Sequence, residues 1–271
     1  MKKSFRNLVL ISALLLLLFF IAFYYSRSRE GFDKVNYMDG VDAVYWINLD
    51  RSPERKSAME SMFSEEIFKD IPHHRISATD GKVPDKMYQK TGDFKKQDGV
   101  TDYEYACLIS HLDTIKEFSE SKYNVALILE DDATLEFKKY WKSSMRDVIK
   151  KAPEDWEIIM LWYNVEKKGF NEVEFKKYRP GEDFYTLAYL INKKGAKKFI
   201  KAHVEDDKYI FNDSAQHKAD WYLYTNLVTY SYKFPYFIYK TDNDSLIHDD
   251  NLKFHIANKN NAIEEYEKLA T

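Results

Sequence analysis

The chain has 271 residues, of which 45% are hydrophobic and 16% aromatic, so it can bury one large core or a core with a small subdomain. Its formal net charge of −3 provides no basic excess for a phosphate backbone, and a nucleic-acid partner is therefore not expected. The single cysteine, Cys107, excludes an intramolecular disulfide and a zinc cluster built on several cysteines.

Residues 8–25 form an apolar run interrupted only by Ser12, and at 1.5 Å per residue it can cross about 27 Å of hydrocarbon. We expect an uncleaved signal anchor rather than a cleaved signal peptide, because no small-x-small pattern follows the run. Basic side chains precede it, which predicts a cytoplasmic tail of residues 1–7 and a single-pass type II membrane protein. Residues 26–40 are predicted to be a stem and residues 41–271 the folded domain.

The compartment stays open at this stage. A bacterial inner membrane, a Golgi or ER membrane and a virus-encoded membrane protein all fit such an anchor.

The folded domain alternates predicted strands with predicted helices, which is typical of an α/β sheet with mostly parallel strands. The predicted strands are Asp42–Leu49, His74–Ala78, Val125–Leu129, Ile158–Trp162 and Thr186–Asn192, with late strands within Trp221–Tyr239. The predicted helices are Pro53–Glu66, Tyr105–Glu120, Tyr140–Lys151, Lys193–Lys201 and Asn260–Ala270. Lys82–Val100 is expected to be a long surface loop, and Phe170–Asp183 an irregular segment.

Three of these helices have specific start signals. Ser52 followed by Pro53 predicts a capped helix with proline at its first position. Thr101 and Glu104 match a capping box, and Asn192 is placed to cap the helix that follows it.

The stretch Val125–Leu135 joins a short apolar run to three consecutive acids, Glu130, Asp131 and Asp132. Two ionised carboxylates about 4–5 Å apart repel by roughly 3–4 kcal/mol at an effective dielectric near 20, and a cation or a shared proton would offset this. In open α/β sheets ligands bind at the carboxyl ends of the strands, where these acids fall. The residues alone leave two interpretations open, a divalent-metal site with oxygen ligands and a solvated acidic loop.

Six separated blocks resemble, in the same order, the motifs of glycosyltransferase family 25, which includes lipooligosaccharide galactosyltransferases and collagen galactosyltransferase domains. The blocks are Ile47–Arg55, Ile76–Gly81, Glu104–His111, Ala126–Asp132, Thr186–Phe199 and Ala219–Asp220. The resemblance implies a GT-A-like nucleotide-sugar-binding fold and a UDP-hexose donor carrying galactose or glucose. It also implies a divalent metal ion, Mn²⁺ or Mg²⁺, that stabilises the leaving diphosphate.

The resemblance also implies roles for single residues. Glu130 and Asp132 are the expected metal ligands, and Asp131 is expected to orient the sugar hydroxyls. Asp220 is the expected general base, which takes the proton of the acceptor hydroxyl in an inverting transfer. The expected donor-binding residues are Asn48, Asp50, Arg55, Asp80, Ser110 and His111.

Structural alternatives for these residues stay open. Arg55 could be an exposed helix residue that pairs with Asp50 or Glu54, and Asp220 could cap a helix that starts at Trp221. Ser110 and His111 could be satisfied polar residues at the border of the core.

The region after Asp220 matches the family poorly, so the acceptor stays open between a glycan, a lipid-linked saccharide and a hydroxylated protein. His248 either completes a metal or pyrophosphate site or lies in a solvated loop. Two rival functions use the same residues. One is a catalytically inactive, membrane-tethered glycan-binding protein, and the other is a metal-dependent phosphoesterase that hydrolyses nucleotide sugars.

Overall fold

The structure, a computed structural model, describes residues 36–92, 96–165, 169–241 and 252–269. Residues Tyr37–Thr271 belong to one compact unit. The predicted tail, the anchor of residues 8–25, most of the predicted stem and His248 lie outside the described residues. Among the helices of the described ranges, none is long and apolar enough to cross a bilayer.

Within the described ranges the chain forms the following elements. The strands are β1 Ala43–Asn48, β2 His73–Ser77, β3 Val125–Glu130, β4 Ala133–Thr134, β5 Ile158–Met160, β6 Phe175–Lys177, β7 Ala188–Asn192, β8 Val204–Glu205, β9 Lys208–Tyr209, β10 Thr229–Tyr232 and β11 Ile238–Tyr239. The helices are α1 Pro53–Phe63, α2 Pro84–Thr91, α3 Asp102–Glu120, α4 Met145–Lys151, α5 Lys193–His203, α6 Ala219–Asn226 and α7 Leu252–Lys268. Two 3₁₀ turns lie at Glu66–Phe68 and Glu136–Tyr140.

The centre of the fold is a seven-stranded sheet in the order β2-β1-β3-β7-β5-β10-β6. The strands β1, β2, β3, β5 and β10 run in one direction, whereas β7 and β6 are antiparallel to their neighbours. The expected α/β architecture is therefore confirmed. The sheet is mostly parallel in strand direction and mixed in its pairings.

The inner strands are buried because their sequences are almost entirely apolar. All six residues of β1 are buried, and so are the four central residues of β3. Full burial of one large aliphatic side chain contributes about 1.5–3 kcal/mol, so this pair of strands is a major part of the core. Such strands leave polar side chains only at their ends, which is where the acids after β3 lie.

The helix-start signals have different outcomes. The capping box at Thr101 is present, with the Thr101 side chain accepting from the Glu104 amide and the Glu104 side chain accepting from the Thr101 amide. Asn192 Oδ1 likewise accepts a hydrogen bond of 2.8 Å from the Gly195 amide. Helix α1 begins at Pro53 as predicted, but the Ser52 side chain makes no capping hydrogen bond.

Five sequence-based boundaries are corrected by the structure. The predicted loop Lys82–Val100 contains helix α2, which starts at a proline that the sequence analysis passed over. Helix α4 starts only at Met145, because Ser144 and Asp147 form a second capping box there. The remaining corrections are β6 inside the predicted irregular segment, α6 at the start of the predicted late strands, and a longer terminal helix, α7.

Two close backbone contacts lie near the carboxyl ends of β2 and β3. The turn after β2 lies against the start of α3, where a Cβ on Gly81 would lie 2.8 Å from the Asp102 carbonyl oxygen. Strand β4, directly after the acids, pairs with β11, and the Lys240 amide donates to the Asp132 carbonyl oxygen at 2.9 Å. Segments that are distant in sequence therefore meet around Asp132.

Candidate active site

A pocket of about 140 Å³ opens at the carboxyl ends of β1, β2 and β3, between α1 and α3. The parallel pairing of β1 with β3 places Ile47 opposite Glu130, so the polar residues that follow the two strands lie at the same edge. The lining side chains that the sequence analysis singled out are Arg55, Asp80, Ser110, His111, Glu130, Asp131 and Asp132.

Asp131 is held by two donors from the first strand–helix unit. Asn48 Nδ2 donates to its Oδ2 at 2.7 Å, and Arg55 Nη1 donates to its Oδ1 at 2.8 Å. Both side chains of the ion pair are largely buried, with exposures of 8% for Arg55 and 9% for Asp131. Arg55 is thus not an exposed helix residue paired with Asp50 or Glu54. The predicted contact of Asp131 with sugar hydroxyls stays a prediction.

Arg75 in β2 extends this network, and the sequence analysis missed it. Its Nε donates to Asn48 Oδ1 at 2.9 Å, which fixes the orientation in which the Asn48 amide group donates to Asp131. Its Nη2 donates to Asp50 Oδ1 at 2.6 Å, and Ser77 Oγ donates to Asp50 Oδ2 at 2.7 Å. Asp50 is thus an exposed anchor for Arg75 in this structure, and the Arg75 bond and the Ser77 bond lower its pKa.

Glu130 is held on the opposite side of the acidic cluster. His111 Nε2 lies 3.3 Å from Glu130 Oε1, and Thr186 Oγ1 donates to the same oxygen at 2.6 Å. Burial alone would raise the pKa of Glu130, but the contacts with His111 and Thr186 outweigh it and leave this pKa below its ordinary value. His111 itself is fully buried and its Nδ1 lies 3.0 Å from the Tyr189 hydroxyl, so it acts on the site through Glu130.

Asp132 has no comparable hydrogen bonds, among the described residues, to offset its burial. Its Oδ1 is buried, and among the described residues no hydrogen-bond partner reaches it. Its other oxygen lies 3.9 Å from Arg55 Nη1, which also serves Asp131. Burial and the negative charge of Glu130 raise the pKa of Asp132 to about 7.

These features fit a divalent cation with oxygen ligands. A buried carboxylate oxygen without a donor, next to a second carboxylate, is the arrangement that Mg²⁺ and Mn²⁺ stabilise. The residues that would hold the ion are Asp132 and Glu130, the two that the sequence singled out.

Cys107 offers a second, weaker set of metal ligands. Its sulfur, a nitrogen of His111 and an oxygen of Glu130 lie within 4.8 Å of one another. Burial raises the pKa of the Cys107 thiol well above its ordinary value, and the nearby Glu130 charge adds to this. Because only the thiolate binds metals well, this set fits a hard cation less well than the carboxylates do.

Two other predicted donor-binding residues already have partners in the protein. Asp80 accepts from Arg51 Nε at 2.8 Å and from the Lys82 amide at 2.9 Å. Ser110 Oγ accepts from the Thr79 amide and donates to the Ala106 carbonyl oxygen, so it joins the turn after β2 to α3. Both line the pocket, and their contact with a nucleotide stays a prediction.

Asp220, in α6, does not line the pocket, but it lies near enough to Glu130 for the Glu130 charge to contribute to raising the pKa of Asp220. Its Oδ1 accepts from the Trp221 amide at 2.9 Å, and its Oδ2 accepts from the Tyr185 amide at 3.3 Å. Helix α6 starts at Ala219, so Asp220 lies within its first turn rather than before a helix that starts at Trp221. Burial raises the pKa of Asp220 despite these two amide bonds, and a carboxylate with a raised pKa has more affinity for a proton.

Four residues of the site have no role assigned from the sequence: Arg75 and Tyr185 lie outside the family blocks, and Thr186 and Tyr189 lie in the block Thr186–Phe199 without a stated role. Thr186 could have been found, because a polar residue beside the apolar strand β7 points to a hydrogen-bond partner, whereas Arg75 lies in the polar strand β2 and carries no such signal. No sequence signal marks Tyr185, whose role depends on its backbone conformation.

Together the site offers a place for a cation, a buried guanidinium group and a carboxylate with raised proton affinity, which suits the displacement of an anionic leaving group by a hydroxyl.

Comparison with known proteins gives a consistent result. Residues 41–215 match the profile of a family described as glycosyltransferase family 25 (LPS biosynthesis protein). A protein of Aedes aegypti named glycosyltransferase 25 family member is 28% identical over 179 residues, which is 60% of this chain and 28% of that protein. Procollagen galactosyltransferase 1-A of Xenopus laevis is 28% identical over 181 residues, which is 59% of this chain and 28% of that protein.

A third relative, from Bos taurus, is named probable inactive glycosyltransferase 25 family member 3 and is 26% identical over 176 residues, which is 59% of this chain and 29% of that protein. The matched part of this chain thus spans less than a third of each relative's length. Among solved structures, apo mouse xyloside xylosyltransferase 1 gives a TM-score of 0.28 at 13% identity, covering 56% of this chain and 55% of that one. That likeness is too low to carry an argument.

Proposed function

Because this chain belongs to glycosyltransferase family 25, we propose that it transfers a hexose, galactose or glucose, from a UDP-sugar to a hydroxyl group. The acceptor in this proposal is a glycan, a lipid-linked saccharide or a hydroxylated protein. The observation that carries the proposal is the acidic cluster at the end of β3, where Asp132 presents a buried oxygen that has no donor among the described residues.

The fold is proposed to be of the GT-A nucleotide-sugar type. Two features support this: polar residues at the carboxyl ends of β1, β2 and β3 surround one pocket, and antiparallel β7 runs beside the acidic strand. The first strand–helix unit then faces the nucleotide, with Asp80 and Ser110 on the pocket wall.

Asp132 and Glu130 would hold the divalent ion, Mn²⁺ or Mg²⁺. When bound, it supplies positive charge that stabilises the departing diphosphate. Arg55 contributes a fixed positive charge on the same wall, and its bond to Asp131 keeps it in place before any substrate arrives. His111 and Thr186 orient Glu130.

Asp220 is proposed to act as general base. The transfer needs a group that removes the proton of the acceptor hydroxyl while the sugar–phosphate bond breaks, on the face opposite the leaving group in an inverting reaction. Asp220 is suited to this because its pKa is raised and its position is fixed by two amide hydrogen bonds.

The test uses the purified full-length chain in detergent with UDP-galactose and UDP-glucose, with and without Mn²⁺. We expect slow release of UDP even without an acceptor, and a loss of at least 100-fold in Asp132→Asn. The matched control is Asp207→Asn, which neutralises an exposed carboxylate paired with Lys116. No binding or turnover of any UDP-sugar, or full activity in Asp132→Asn, would contradict the proposal.

The same experiment decides between this function and its two rivals. A glycan-binding protein without catalysis would bind glycans with no dependence on metal, and the Bos taurus relative named as probable inactive makes this comparison necessary. A phosphoesterase would cleave the diphosphate and release hexose phosphate and UMP from the donor even when an acceptor is present. Product analysis by mass spectrometry separates these outcomes.

A type II membrane topology through residues 8–25 is part of the proposal and rests on the apolar run and on the basic side chains that precede it. Resistance of the protein to carbonate extraction, and its release after removal of residues 1–30, would support it. Extraction of the full-length chain by carbonate would contradict it.

A further inference from the structure

Tyr185 has a backbone conformation that tyrosine rarely adopts. Its φ angle is 85°, in the left-handed region that favours glycine. A non-glycine residue in such a region costs on the order of 1–3 kcal/mol and persists only when surrounding contacts hold it. The described contacts of Tyr185 are therefore informative about what holds it.

Helix α6 forms hydrogen bonds with both backbone groups of Tyr185, its amide and its carbonyl oxygen. The Tyr185 amide donates to Asp220 Oδ2 at 3.3 Å, and the Tyr224 hydroxyl donates to the Tyr185 carbonyl oxygen at 2.7 Å. Asp220 and Tyr224 are four residues apart, so they lie on the same face of α6. The position of the Asp220 carboxylate is thus coupled to the backbone of Tyr185.

Helix α7 holds the side chain of the same residue. The Tyr185 hydroxyl lies 3.1 Å from His255 Nδ1, and Asn258 Nδ2 donates to it at 3.5 Å. The ring packs against Trp162 and Tyr239, with ring centroids 6.0 Å and 5.8 Å away, and these two rings also contact each other at 5.4 Å. Helix α7 therefore contacts the side chain of the residue whose backbone amide is hydrogen-bonded to Asp220.

The next residue in the chain serves the other carboxylate. Thr186 Oγ1 donates to Glu130 Oε1 at 2.6 Å, while the Tyr185 amide is bonded to Asp220. Two consecutive residues thus set the spacing between Glu130 and Asp220, and the left-handed conformation at Tyr185 is part of the geometry that lets them do so.

We propose that Tyr185 is a positioning residue for Asp220, and that helix α7 maintains its conformation through the hydrogen bond to His255. This inference rests on the proposed function for the role of Asp220 as general base. It assigns to the carboxyl-terminal helix a part in catalysis that needs no contact with substrate.

The kinetic test compares Tyr185→Phe, His255→Phe and the double variant with wild type. We expect each single variant to lower kcat by about 10-fold and to leave the KM for the UDP-sugar within 2-fold, because neither residue lines the donor pocket. The double variant should lose no more than Tyr185→Phe alone, since the hydrogen bond that His255→Phe removes is one of those that Tyr185→Phe removes. Additive losses, or a kcat within 2-fold of wild type, would overturn the inference.

The matched control is Tyr236→Phe, which removes another buried hydroxyl whose hydrogen bond to the Ser143 carbonyl oxygen is 2.7 Å long. It should lower thermal stability as much as Tyr185→Phe does and leave kcat unchanged. An equal loss of kcat in this control would mean that the effect is one of general stability, and would also overturn the inference.

Hydrogen–deuterium exchange of peptides spanning residue 185 provides a readout that does not depend on activity. In His255→Phe the amide of Tyr185 should exchange at least 10-fold faster than in wild type, whereas Tyr236→Phe should leave its exchange unchanged. If wild type turns over no UDP-sugar, the proposed function fails and the exchange result still decides whether α7 holds Tyr185. If wild type is active and the exchange does not respond, the inference alone fails.

Discussion

Asn48 donates a 2.7 Å hydrogen bond to Asp131, and this contact ties together the ends of the neighbouring parallel strands β1 and β3. Asp131 also accepts from Arg55, so two donors of the first strand–helix unit hold one carboxylate of the acidic cluster. This arrangement fixes the cluster before a ligand binds, which is a condition for electrostatic stabilisation of a transition state.

The buried pair of Arg55 and Asp131 makes a first prediction about stability. Arg55→Met leaves Asp131 buried without its charge partner, and should lower the free energy of unfolding by about 3 kcal/mol. Adding Asp131→Asn should recover at least half of that loss, because no uncompensated charge remains. Urea denaturation measures both, with the exposed neighbour Lys56→Met as a control that should change stability by less than about 0.5 kcal/mol. Equal destabilisation in the single and double variants would contradict the coupling.

The ionised form of Asp132 should lower the free energy of unfolding when no metal ion is bound. Because its pKa is raised to about 7, the folded state binds a proton more tightly than the unfolded state, and the contribution of Asp132 to stability grows as the pH falls from 8 towards 5. Asp132→Asn mimics the neutral form and should raise the Tm at pH 8 by about 2–4 °C, by less at pH 5, and by nothing below the ordinary carboxyl pKa of 3.8, where both states bind the proton.

The same variant should lose the stabilisation by Mn²⁺, since a ligand that binds only the folded state raises its stability. Thermal unfolding with 1 mM Mn²⁺ or with EDTA measures this. A Tm shift by Mn²⁺ that is equal in Asp132→Asn and wild type would rule Asp132 out as a ligand.

Cys107 should be dispensable for metal binding. If Glu130 and Asp132 supply the ligands, Cys107→Ala should keep the Mn²⁺ affinity within about 2-fold, whereas loss of a true ligand or of its support costs about 10–100-fold. Isothermal titration with Mn²⁺ and Zn²⁺ separates the two cases. A selective loss of Zn²⁺ binding would instead point to the set formed with His111.

The lowered pKa of Glu104 leads to the prediction that the protein loses stability at acidic pH. Burial opposes ionisation, but Lys218 at 2.8 Å and the Thr101 amide lower the pKa of Glu104 below its ordinary value of 4.5. A lowered pKa adds stability above pH 4.5 that is lost as the pH falls through the folded-state pKa. Glu104→Gln keeps the capping pattern, and should cost about 1 kcal/mol at pH 7, a cost that shrinks as the pH falls below 4.5. A Tm difference that does not depend on pH would contradict this assignment.

Much of this site could be predicted from the sequence because its parts carry local signals. The apolar run before Glu130 defined a buried strand and placed the acids at its end, and the capping box at Thr101 fixed the start of α3. Positions within a strand or a first helical turn follow from such patterns alone.

The remainder depends on contacts between distant segments. Nothing near Arg75 indicates that it orients Asn48, which lies 27 residues earlier, and nothing near Tyr185 indicates a φ angle of 85°. The reversal of β7 is likewise a property of the sheet, because an antiparallel strand buried on both faces has the same apolar composition as a parallel one.

The distance in sequence between Arg55 and Asp131 also determines when the two partners of this ion pair become available during synthesis. Arg55 and Asp131 are 76 residues apart, and at a rate of about 5–20 residues per second the second emerges about 4–15 s after the first. During that interval the first strand–helix unit has a guanidinium group at a position that becomes buried, without the carboxylate that neutralises it. A nascent chain that stops before β3 should therefore remain accessible to proteases and chaperones. The amino-terminal half can fold stably only after β3 and the acidic residues that follow it have been synthesised.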